Sequence, residues 1–363
     1  MVSLKLLFLC ITLLSIFVSG QIHRKEEFPK TTLGNSHEFP LCGMGVGNLQ
    51  HELIESQISH GIGDDMKYRL IDTAHASRNE GLIFDGILQG LSSFTSDTDL
   101  KIHVITKVWY THLGYERTQI SVRESLQHLD SPNIRVHILI HWPRCRDDIQ
   151  WMKCEEEEDR LPEYIKEAGP PPHLDKDNAF KESWRALEDI FLGKISLGEN
   201  PPLIESIGVS NFDIHDLKEL VNNSRITPHI LQGNVWSYVF DPFLIDYCRK
   251  TDIHFQAYNV INGIHDRHDV SPRAFSLLML IAEELSSTSK HGYAPAHVIL
   301  KWLIQNKVSV IPRTRQLGHL QENSPLTLAT MPDLVPSQEE KVRIAVAALL
   351  KGQDLDQPLA TFI

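Results

Sequence analysis

Three residues suited to proton and carbonyl chemistry each lie at the end of an apolar segment. Asp72 lies in segment 69–74, Lys107 in 103–108 and His141 at the end of 135–141. If these segments are neighbouring parallel strands of a barrel, their carboxyl ends bring the three side chains together. A lysine facing a carboxylate tunes a neighbouring acid, and a histidine can hydrogen-bond a carbonyl oxygen and orient it. The set therefore predicts a carbonyl-binding site rather than three separate polar strand ends.

Short apolar segments that alternate with longer segments of helical period must position these residues. Eight such units predict an α/β fold of the (β/α)8, or TIM-barrel, class rather than an open doubly wound sheet. No GxGxxG sequence opens a helix after the first strand, which argues against a Rossmann domain. The predicted strands are 43–49, 69–74, 103–108, 135–141, 206–210, 230–235, 254–258 and 308–311.

The N-terminus has the pattern of a cleaved leader. Lys5 precedes an apolar run of 13 residues at 6–18, and small residues follow it, which predicts a signal peptide over 1–20. A spanning helix needs about 20 apolar residues, so an uncleaved signal anchor is the less favoured alternative. We expect residues 21–363 to form a single barrel that is secreted or lies in the endoplasmic reticulum lumen, with no membrane attachment after cleavage.

The net charge excludes one class of partner, and the acidic run, the cysteines and a glycosylation sequon predict local features of the chain. The net charge of −12 argues against nucleic acid, which requires a basic footprint. Segment 144–177 predicts a long loop with an acidic run at 155–159, either as solvated surface or as one wall of a substrate pocket. Cys145 and Cys154 predict a disulfide in an oxidising lumen, with two free thiols as the alternative. Asn222 begins a glycosylation sequon, usable if the leader directs secretion.

Short motifs follow the predicted strands in a consistent order. They are YRLIDTA at 68–74, NE at 79–80, TKVW at 106–109, LIHWP at 139–143, SWRALE at 183–188, IGVSNF at 207–212, AY at 257–258, IPRT at 311–314 and EN at 322–323. Each motif is weak alone, but together and in this order the chain resembles the aldo-keto reductases across nearly its whole mature length.

That resemblance implies an NAD(P)H-dependent oxidoreductase that acts on a small carbonyl compound, an aldehyde or ketone. Tyr258 matches the tyrosine on which the nicotinamide ring stacks, and Arg313 suits an adenosine 2′-phosphate, so NADP is preferred over NAD. The implied cofactor-binding residues are Asn48, Asp72, Ser210, Asn211, Gln232, Tyr258, Arg313, Thr314, Glu322 and Asn323.

The chain departs from the family pattern around the cofactor phosphates. His319 stands where the family has an arginine, Asn48 where it has a threonine and Asn259 where it has a serine. The loop that embraces the pyrophosphate in the family reads HDRHD at 265–269, and its aspartates would repel that group. Its histidines and acids resemble a metal site, but such sets are common in surface loops, so we predict no metal there.

The implied catalytic residues are Asp72, Ser77, Lys107 and His141, with Ser77 in the position of the family's tyrosine. Ser77 lies five residues after Asp72, and neither Tyr68 nor Tyr110 falls at that position. A serine hydroxyl is far less acidic than a phenol, whose pKa is about 10. A general acid is worth about 10²–10⁴-fold, so we expect weak or absent reduction. Two routes remain open: His141 as the acid, or a water held by Ser77.

Two other functions fit parts of the sequence. The first is a catalytically inactive member, a pseudoenzyme, that binds a nucleotide, or a protein partner through segment 144–177. The second is a barrel that uses His141 and Asp72 for hydrolysis, which no nucleophile or metal triad in the sequence supports.

Overall fold

Eight parallel strands form one sheet, in chain order, in the computed structural model, which describes residues 28–94, 100–198, 201–265, 267–289 and 291–356. The sheet closes on itself, because the N–H groups of Gly43 and Gly45 donate to the carbonyl oxygens of Val310 and Pro312. The predicted (β/α)8 barrel is therefore confirmed. The strands are β1 Lys30–Thr32, β2 Glu38–Pro40, β3 Met44–Gly45, β4 Leu70–Asp72, β5 Ile102–Val108, β6 Ile134–Ile140, β7 Leu203–Ser210, β8 Ile230–Asn234, β9 His254–Tyr258 and β10 Ser309–Val310.

The longer helices cover the outside of the barrel and present apolar stripes to the strands. In α6, for example, Phe180, Trp184 and Leu187 recur at helical spacing and are buried. The helices are α1 His51–Ile62, α2 Glu80–Ser92, α3 Tyr115–Leu126, α4 Cys154–Asp159, α5 Glu163–Glu167, α6 Ala179–Phe191, α7 Ile214–Asn223, α8 Val235–Phe240, α9 Pro242–Lys250, α10 Asn262–His265, α11 Pro272–Ser287, α12 Pro295–Gln305, α13 Leu317–Glu322, α14 Pro325–Thr330 and α15 Pro336–Lys351. Short 3-10 turns lie at His75–Ser77, Tyr110–His112 and Pro172–Leu174.

The first and last barrel strands are shorter than the sequence predicts. The segments 43–49 and 308–311 contain strands only at Met44–Gly45 and Ser309–Val310. After Val46 the chain turns away from the sheet, and Asn48 takes a left-handed conformation with φ 59°, which asparagine tolerates. These ends are therefore loops at the barrel mouth rather than continuing strands.

The N-terminal end of the barrel is closed by the antiparallel hairpin β1–β2. Phe39 of this hairpin is fully buried and packs with an inner cluster of strand residues, among them Leu70, Ile105, Leu139 and Ile230. Burying a large aromatic side chain contributes roughly 1.5–3 kcal/mol. The hairpin therefore closes the N-terminal end of the barrel, so a cavity can open only at the C-terminal end.

Segment 144–177 is more ordered and less solvated than the acidic-loop prediction. It contains α4, α5 and a 3-10 turn, and the predicted Cys145–Cys154 disulfide is confirmed. Glu158 is buried because its two carboxylate oxygens accept hydrogen bonds from Nη1 and Nη2 of Arg117, both at 2.9 Å. The prediction that the acidic run is solvated surface is thus wrong for Glu158, since a buried fork-to-fork ion pair anchors it to α3.

The predicted signal peptide at 1–20 lies outside the described residues. Among the residues that the structure describes, no helix combines the length and the apolar character needed to cross a membrane. Asn222 of the glycosylation sequon is exposed near the end of α7.

Candidate functional site

A cavity of about 820 Å³ opens at the C-terminal end of the barrel. Most of the site residues that the sequence predicts line this cavity, because they lie at the carboxyl ends of the strands or in the loops that follow them. The predicted residues that line it are Asn48, Asp72, Ser77, Lys107, His141, Asn211, Gln232, Tyr258 and Arg313. Ser210, Thr314, Glu322 and Asn323 do not line it.

Asp72 and Lys107 form a buried ion pair at the floor of the cavity. The ammonium of Lys107 donates to Oδ1 of Asp72 and to the carbonyl oxygen of Thr73, both at 2.7 Å. The Lys107 side chain is only 4% exposed, so leaving either charge unpaired here would be costly. The pair therefore holds a fixed ammonium group beside the space where a substrate oxygen would bind.

Gln232 supports this ion pair from the opposite strand. Its Nε2 donates to Oδ1 of Asp72 and to Oε1 of Gln256, both at 2.7 Å. The amide hydrogens of Gln232 are thus already engaged, and its carbonyl oxygen is left to meet a ligand. Gln232 lies where the sequence predicts a contact to the cofactor carboxamide, but it can serve there only as an acceptor.

His141 is held for orienting a carbonyl rather than for giving up a proton. Its ring packs edge-on against Trp109 at a centroid distance of 4.9 Å. Burial, with the charge of Lys107 as the second cause, holds the pKa of His141 well below its usual value, so the ring is neutral. Nδ1 is buried and has no hydrogen-bond partner among the described residues. We therefore assign the proton of the neutral ring to Nε2, because an orphaned acceptor costs less than an orphaned donor.

Ser77 ends the 3-10 turn after β4 and lines the cavity. Arg78 follows in a left-handed conformation, with φ 47°, and turns the chain into α2. The Ser77 hydroxyl has no hydrogen-bond partner among the described residues, and both contacts of Lys107 go elsewhere. Ser77 therefore lies at the mouth as predicted, free to hold water but not coupled to the lysine.

No other tyrosine takes over the missing phenol in the part of the chain that the structure describes. Tyr110 is buried with its hydroxyl on a carboxylate oxygen of Glu157, and burial together with Glu157 raises the pKa of Tyr110. Tyr258 lines the cavity, but its hydroxyl donates to Oδ1 of Asn211 at 2.7 Å, and burial raises its pKa. Both phenols are therefore poorer acids than free tyrosine.

Asn211 organises the face on which a flat ring would stack. It adopts a left-handed conformation, with φ 61°, and its Nδ2 donates to the carbonyl oxygen of His141 at 2.9 Å and to Oγ of Ser210 at 3.1 Å. Ser210 is fully buried behind it. Ser210, which the sequence predicts to contact the cofactor, accepts a hydrogen bond from Asn211, and Asn211 in turn accepts one from Tyr258.

Arg313 marks the opposite side of the cavity, where a phosphate would lie. Its exposed guanidinium donates from Nη1 to the carbonyl oxygen of Gly47 at 3.0 Å, bridging the ends of β10 and β3. Thr314 instead accepts from the N–H of Gln316 at 3.1 Å. Glu322 and Asn323 lie at the end of α13 outside the cavity. The phosphate side is therefore a shallow surface around Arg313.

The loop after β9 approaches the cavity through a different segment from the one that the sequence singles out. Asn259, Val260, Ile261 and Asn262 line the cavity, whereas Arg267 donates to the carbonyl oxygen of Leu350 in α15. Asp266 lies outside the described residues. A pyrophosphate bound in the cavity would thus meet asparagine side chains first.

Segment 144–177 forms one wall of the cavity, as one of the two sequence interpretations predicts, through aromatic and acidic residues that the sequence analysis did not name. Glu157 accepts a hydrogen bond from Nε1 of Trp109 at 2.8 Å, and the ring of Trp151 packs against Trp109 and Trp142 at centroid distances of 6.2 and 5.8 Å. Trp151 and Glu157 come from segment 144–177, on either side of Cys154. The disulfide spacing was the available signal, because it predicts that this segment is folded back.

The chain is similar to known proteins over most of its length. The family model described as "Aldo/keto reductase family" matches residues 63–333. Glyoxal reductase of Bacillus subtilis is 28% identical over 319 residues, 86% of this chain and 90% of that protein. NAD(P)H-dependent D-xylose reductase I,II of Candida tropicalis is 26% identical over 297 residues, 81% of this chain and 86% of that protein.

Solved structures show the same fold. An aldo/keto reductase from Brucella melitensis superposes with a TM-score of 0.64 at 24% identity, covering 88% of this chain and 98% of the other. The Bombyx mori aldo-keto reductase in complex with NADP superposes with a TM-score of 0.63 at 20% identity, covering 92% of this chain and 95% of the other.

Proposed function

Because the chain belongs to the aldo/keto reductase family, we propose that it is an NAD(P)H-dependent oxidoreductase that reduces a small aldehyde or ketone, with a chemical step slowed by Ser77. One observation carries the proposal: the Asp72–Lys107 ion pair and a neutral His141 line one cavity, in which no phenol is free to protonate the carbonyl. The family relatives support the oxidoreductase class, and the side chains support the reduced rate.

The residues of this chain fit a nicotinamide cofactor. Tyr258 is fixed by its bond to Asn211, which offers a rigid ring for stacking, and Gln232 keeps a carbonyl oxygen for an amide donor. Arg313 presents a guanidinium that pairs with a phosphate through parallel hydrogen bonds. These features support NADP as the preferred cofactor over NAD, with His319 leaving the 2′-phosphate fewer cationic contacts than an arginine would.

NAD(P)H, when bound, supplies the hydride. The protein's part is to bind the carbonyl oxygen by the Nε2–H of His141 and to keep the ammonium of Lys107 close by, so that negative charge developing on that oxygen is stabilised. The lowered pKa of His141 disfavours the imidazolium form that a general acid needs. A water hydrogen-bonded to the Ser77 hydroxyl would therefore give its proton to the alkoxide, and bulk solvent at the open mouth would reprotonate the hydroxide left behind.

The proposed location is the endoplasmic reticulum lumen or the outside of the cell. Support comes from the leader pattern at 1–20, from the Cys145–Cys154 disulfide, which oxidising compartments favour, and from the exposed Asn222 of the sequon. A lumenal pool of reduced cofactor is the setting in which this site would turn over.

The alternative proposal is an inactive member that binds the cofactor or a protein partner through segment 144–177. The absence of a phenol available for protonation supports it. So does Leu174, which is 74% exposed on this segment.

The experiment that tests the function is a titration of the mature protein with NADPH and NADH. Binding is followed by quenching of tryptophan fluorescence, since Trp109, Trp142 and Trp151 line the cavity. A single-turnover assay with glyoxal and D-xylose then follows NADPH absorbance. Saturable NADPH binding with slow turnover is expected. Binding without turnover favours the inactive alternative, and no binding of either cofactor overturns the oxidoreductase proposal.

A further inference from the structure

A second cluster of ionisable side chains lies inside the barrel at its other, N-terminal end. His103 of β5, His137 of β6 and Glu205 of β7 come from three adjacent strands. Their side chains are 12%, 0% and 10% exposed, and Phe39 packs edge-on against both imidazole rings. Two histidines and a glutamate are thus enclosed where a barrel ordinarily holds branched apolar residues.

The three potential ligand atoms are spaced for one small divalent cation. Nδ1 of His103 lies 2.9 Å from Nε2 of His137, and Oε2 of Glu205 lies 3.3 Å from the first nitrogen and 3.9 Å from the second. A tetrahedral zinc ion with bonds of about 2.0–2.1 Å places neighbouring ligand atoms about 3.3–3.4 Å apart. The three observed distances between ligand atoms lie on both sides of this value. A single ion can therefore reach all three atoms after small side-chain adjustments.

The surrounding groups orient these atoms toward one another. Nδ1 of His137 lies 2.7 Å from Oγ of Ser206, so a proton on Nδ1 leaves the Nε2 lone pair directed into the cluster. Metal-ligating histidines characteristically hold their other ring nitrogen in such a bond. The second oxygen of Glu205 lies 3.4 Å from Nδ1 of His37 and 3.7 Å from Nε of Arg135, which fixes the carboxylate from the outside.

Hydrogen bonding within the cluster leaves one buried atom unsatisfied. Oε2 of Glu205 is buried without a well-aligned hydrogen bond from a described residue, and its contacts there are the long ones to Nδ1 of His103 at 3.3 Å and Nε2 of His137 at 3.9 Å. A buried carboxylate oxygen that lacks a good hydrogen bond is destabilising. A cation bound by the three atoms would satisfy this oxygen. It would also replace the shared proton that now joins Nδ1 of His103 to Nε2 of His137.

We propose that His103, His137 and Glu205 bind a structural zinc ion that ties β5, β6 and β7 together beneath the hairpin β1–β2. Two imidazoles and one carboxylate suit zinc better than magnesium or calcium, which prefer oxygen ligands. Three protein ligands leave a fourth position for water. The site lies at the opposite end of the barrel from the reductase cavity, so it stands or falls independently of the proposed function.

A second group of two histidines and a glutamate, His75, His112 and Glu124, supplies a matched control. There the carboxylate oxygens of Glu124 already accept hydrogen bonds from His75 at 2.6 Å and from the hydroxyl of Tyr164 at 2.6 Å. That group is satisfied without an ion, so His112→Asn should leave zinc binding unchanged.

The test is metal binding to the mature chain after stripping with a chelator, using zinc or cobalt(II) alone. We expect one zinc per chain by elemental analysis after dialysis, and intense visible absorption with cobalt(II) from tetrahedral coordination. Ser206→Ala removes only the bond that orients His137 and should lower zinc affinity by roughly 10–100-fold. Glu205→Gln, which keeps the side-chain shape, and His137→Gln each remove a ligand and should lower the affinity by more than that. Circular dichroism identifies any variant that fails to fold.

Three results would overturn the site. One is a wild-type chain that retains no zinc, and another is stoichiometric zinc that Glu205→Gln leaves bound with unchanged affinity. The third is loss of zinc in His112→Asn with retention in Glu205→Gln. None of these measurements involves cofactor or turnover, so an inactive but zinc-binding protein would refute the reductase proposal alone.

Discussion

Replacing Ser77 with tyrosine should convert a slow site into a fast one. Ser77 lines the cavity and its hydroxyl bonds to no described residue, so Ser77→Tyr breaks no hydrogen bond. The cavity of about 820 Å³ has room for a phenol. A tyrosine hydroxyl directed toward the ammonium of Lys107 would have its pKa lowered by that charge, which is the property that a general acid requires.

The magnitude follows from the missing proton transfer. A positioned general acid contributes about 10²–10⁴-fold, equivalent to roughly 2.7–5.4 kcal/mol of barrier. Because Lys107 already makes two 2.7 Å contacts that hold it in place, the ammonium needs no reorganisation to assist. We therefore expect kcat/KM for glyoxal to rise by at least about 100-fold in Ser77→Tyr.

The assay is NADPH consumption under single-turnover and steady-state conditions, with Ser77→Phe as the matched control. The phenyl ring fills the same space without a hydroxyl, so its rate should stay at the wild-type level. Adding Lys107→Met to Ser77→Tyr should remove most of the gain. An equal gain with phenylalanine, or no gain in a Ser77→Tyr protein that still binds NADPH, would refute the reasoning that proton delivery limits this site.

Three further predictions concern the cofactor, the disulfide and pH. Arg313→Ala should weaken NADPH binding by about 10–100-fold and NADH binding much less; an equal loss for both, by fluorescence titration, would contradict a 2′-phosphate contact. Replacing Cys145 and Cys154 by serine opens a crosslink of sequence separation 9 and should lower the free energy of unfolding by about 2.5 kcal/mol; an unchanged urea midpoint would count against it. Burial lowers the pKa of His112 to about 3 and that of His254 to about 4 in the folded protein. In the unfolded chain, each of these histidines should have a pKa of about 6.5. Below that pH the unfolded chain therefore binds more protons than the folded protein. The contribution of each buried neutral histidine to the free energy of unfolding should therefore be fully present above that pH, and it should fall by about 1.4 kcal/mol per pH unit toward pH ~4.5. A free energy of unfolding that does not change over that range would contradict the burial of these histidines in the neutral form.

The sequence was sufficient to predict the barrel and the centre of its mouth. Strand-length apolar segments alternating with helical ones leave few alternatives to a closed parallel sheet, and the carboxyl ends of such strands must converge. The sequence alone therefore predicted that Asp72, Lys107 and His141 lie together. The position of Ser77 followed equally well, because its spacing from Asp72 and from Asn79 lies within one short loop.

The sequence predicted less well where a contact depends on how loops pack. Glu157 faces the cavity while Glu158, one residue later, pairs with Arg117 in the interior, and a charge run alone does not distinguish the two. Ser210 is fully buried, whereas its neighbour Asn211, in a left-handed conformation, lines the cavity. Such side-chain directions follow from backbone angles that residue types do not specify.

Tertiary structure alone placed His103, His137 and Glu205 together. They lie 34 and 68 residues apart along the chain, without a motif, and their side chains meet only because three strands share one barrel interior in a particular register. By itself, the sequence determined the family fold and the missing phenol, since both depend on local pattern and short spacing. The structure decided which charges are buried, which are paired and which remain available, because those depend on strand register and loop path.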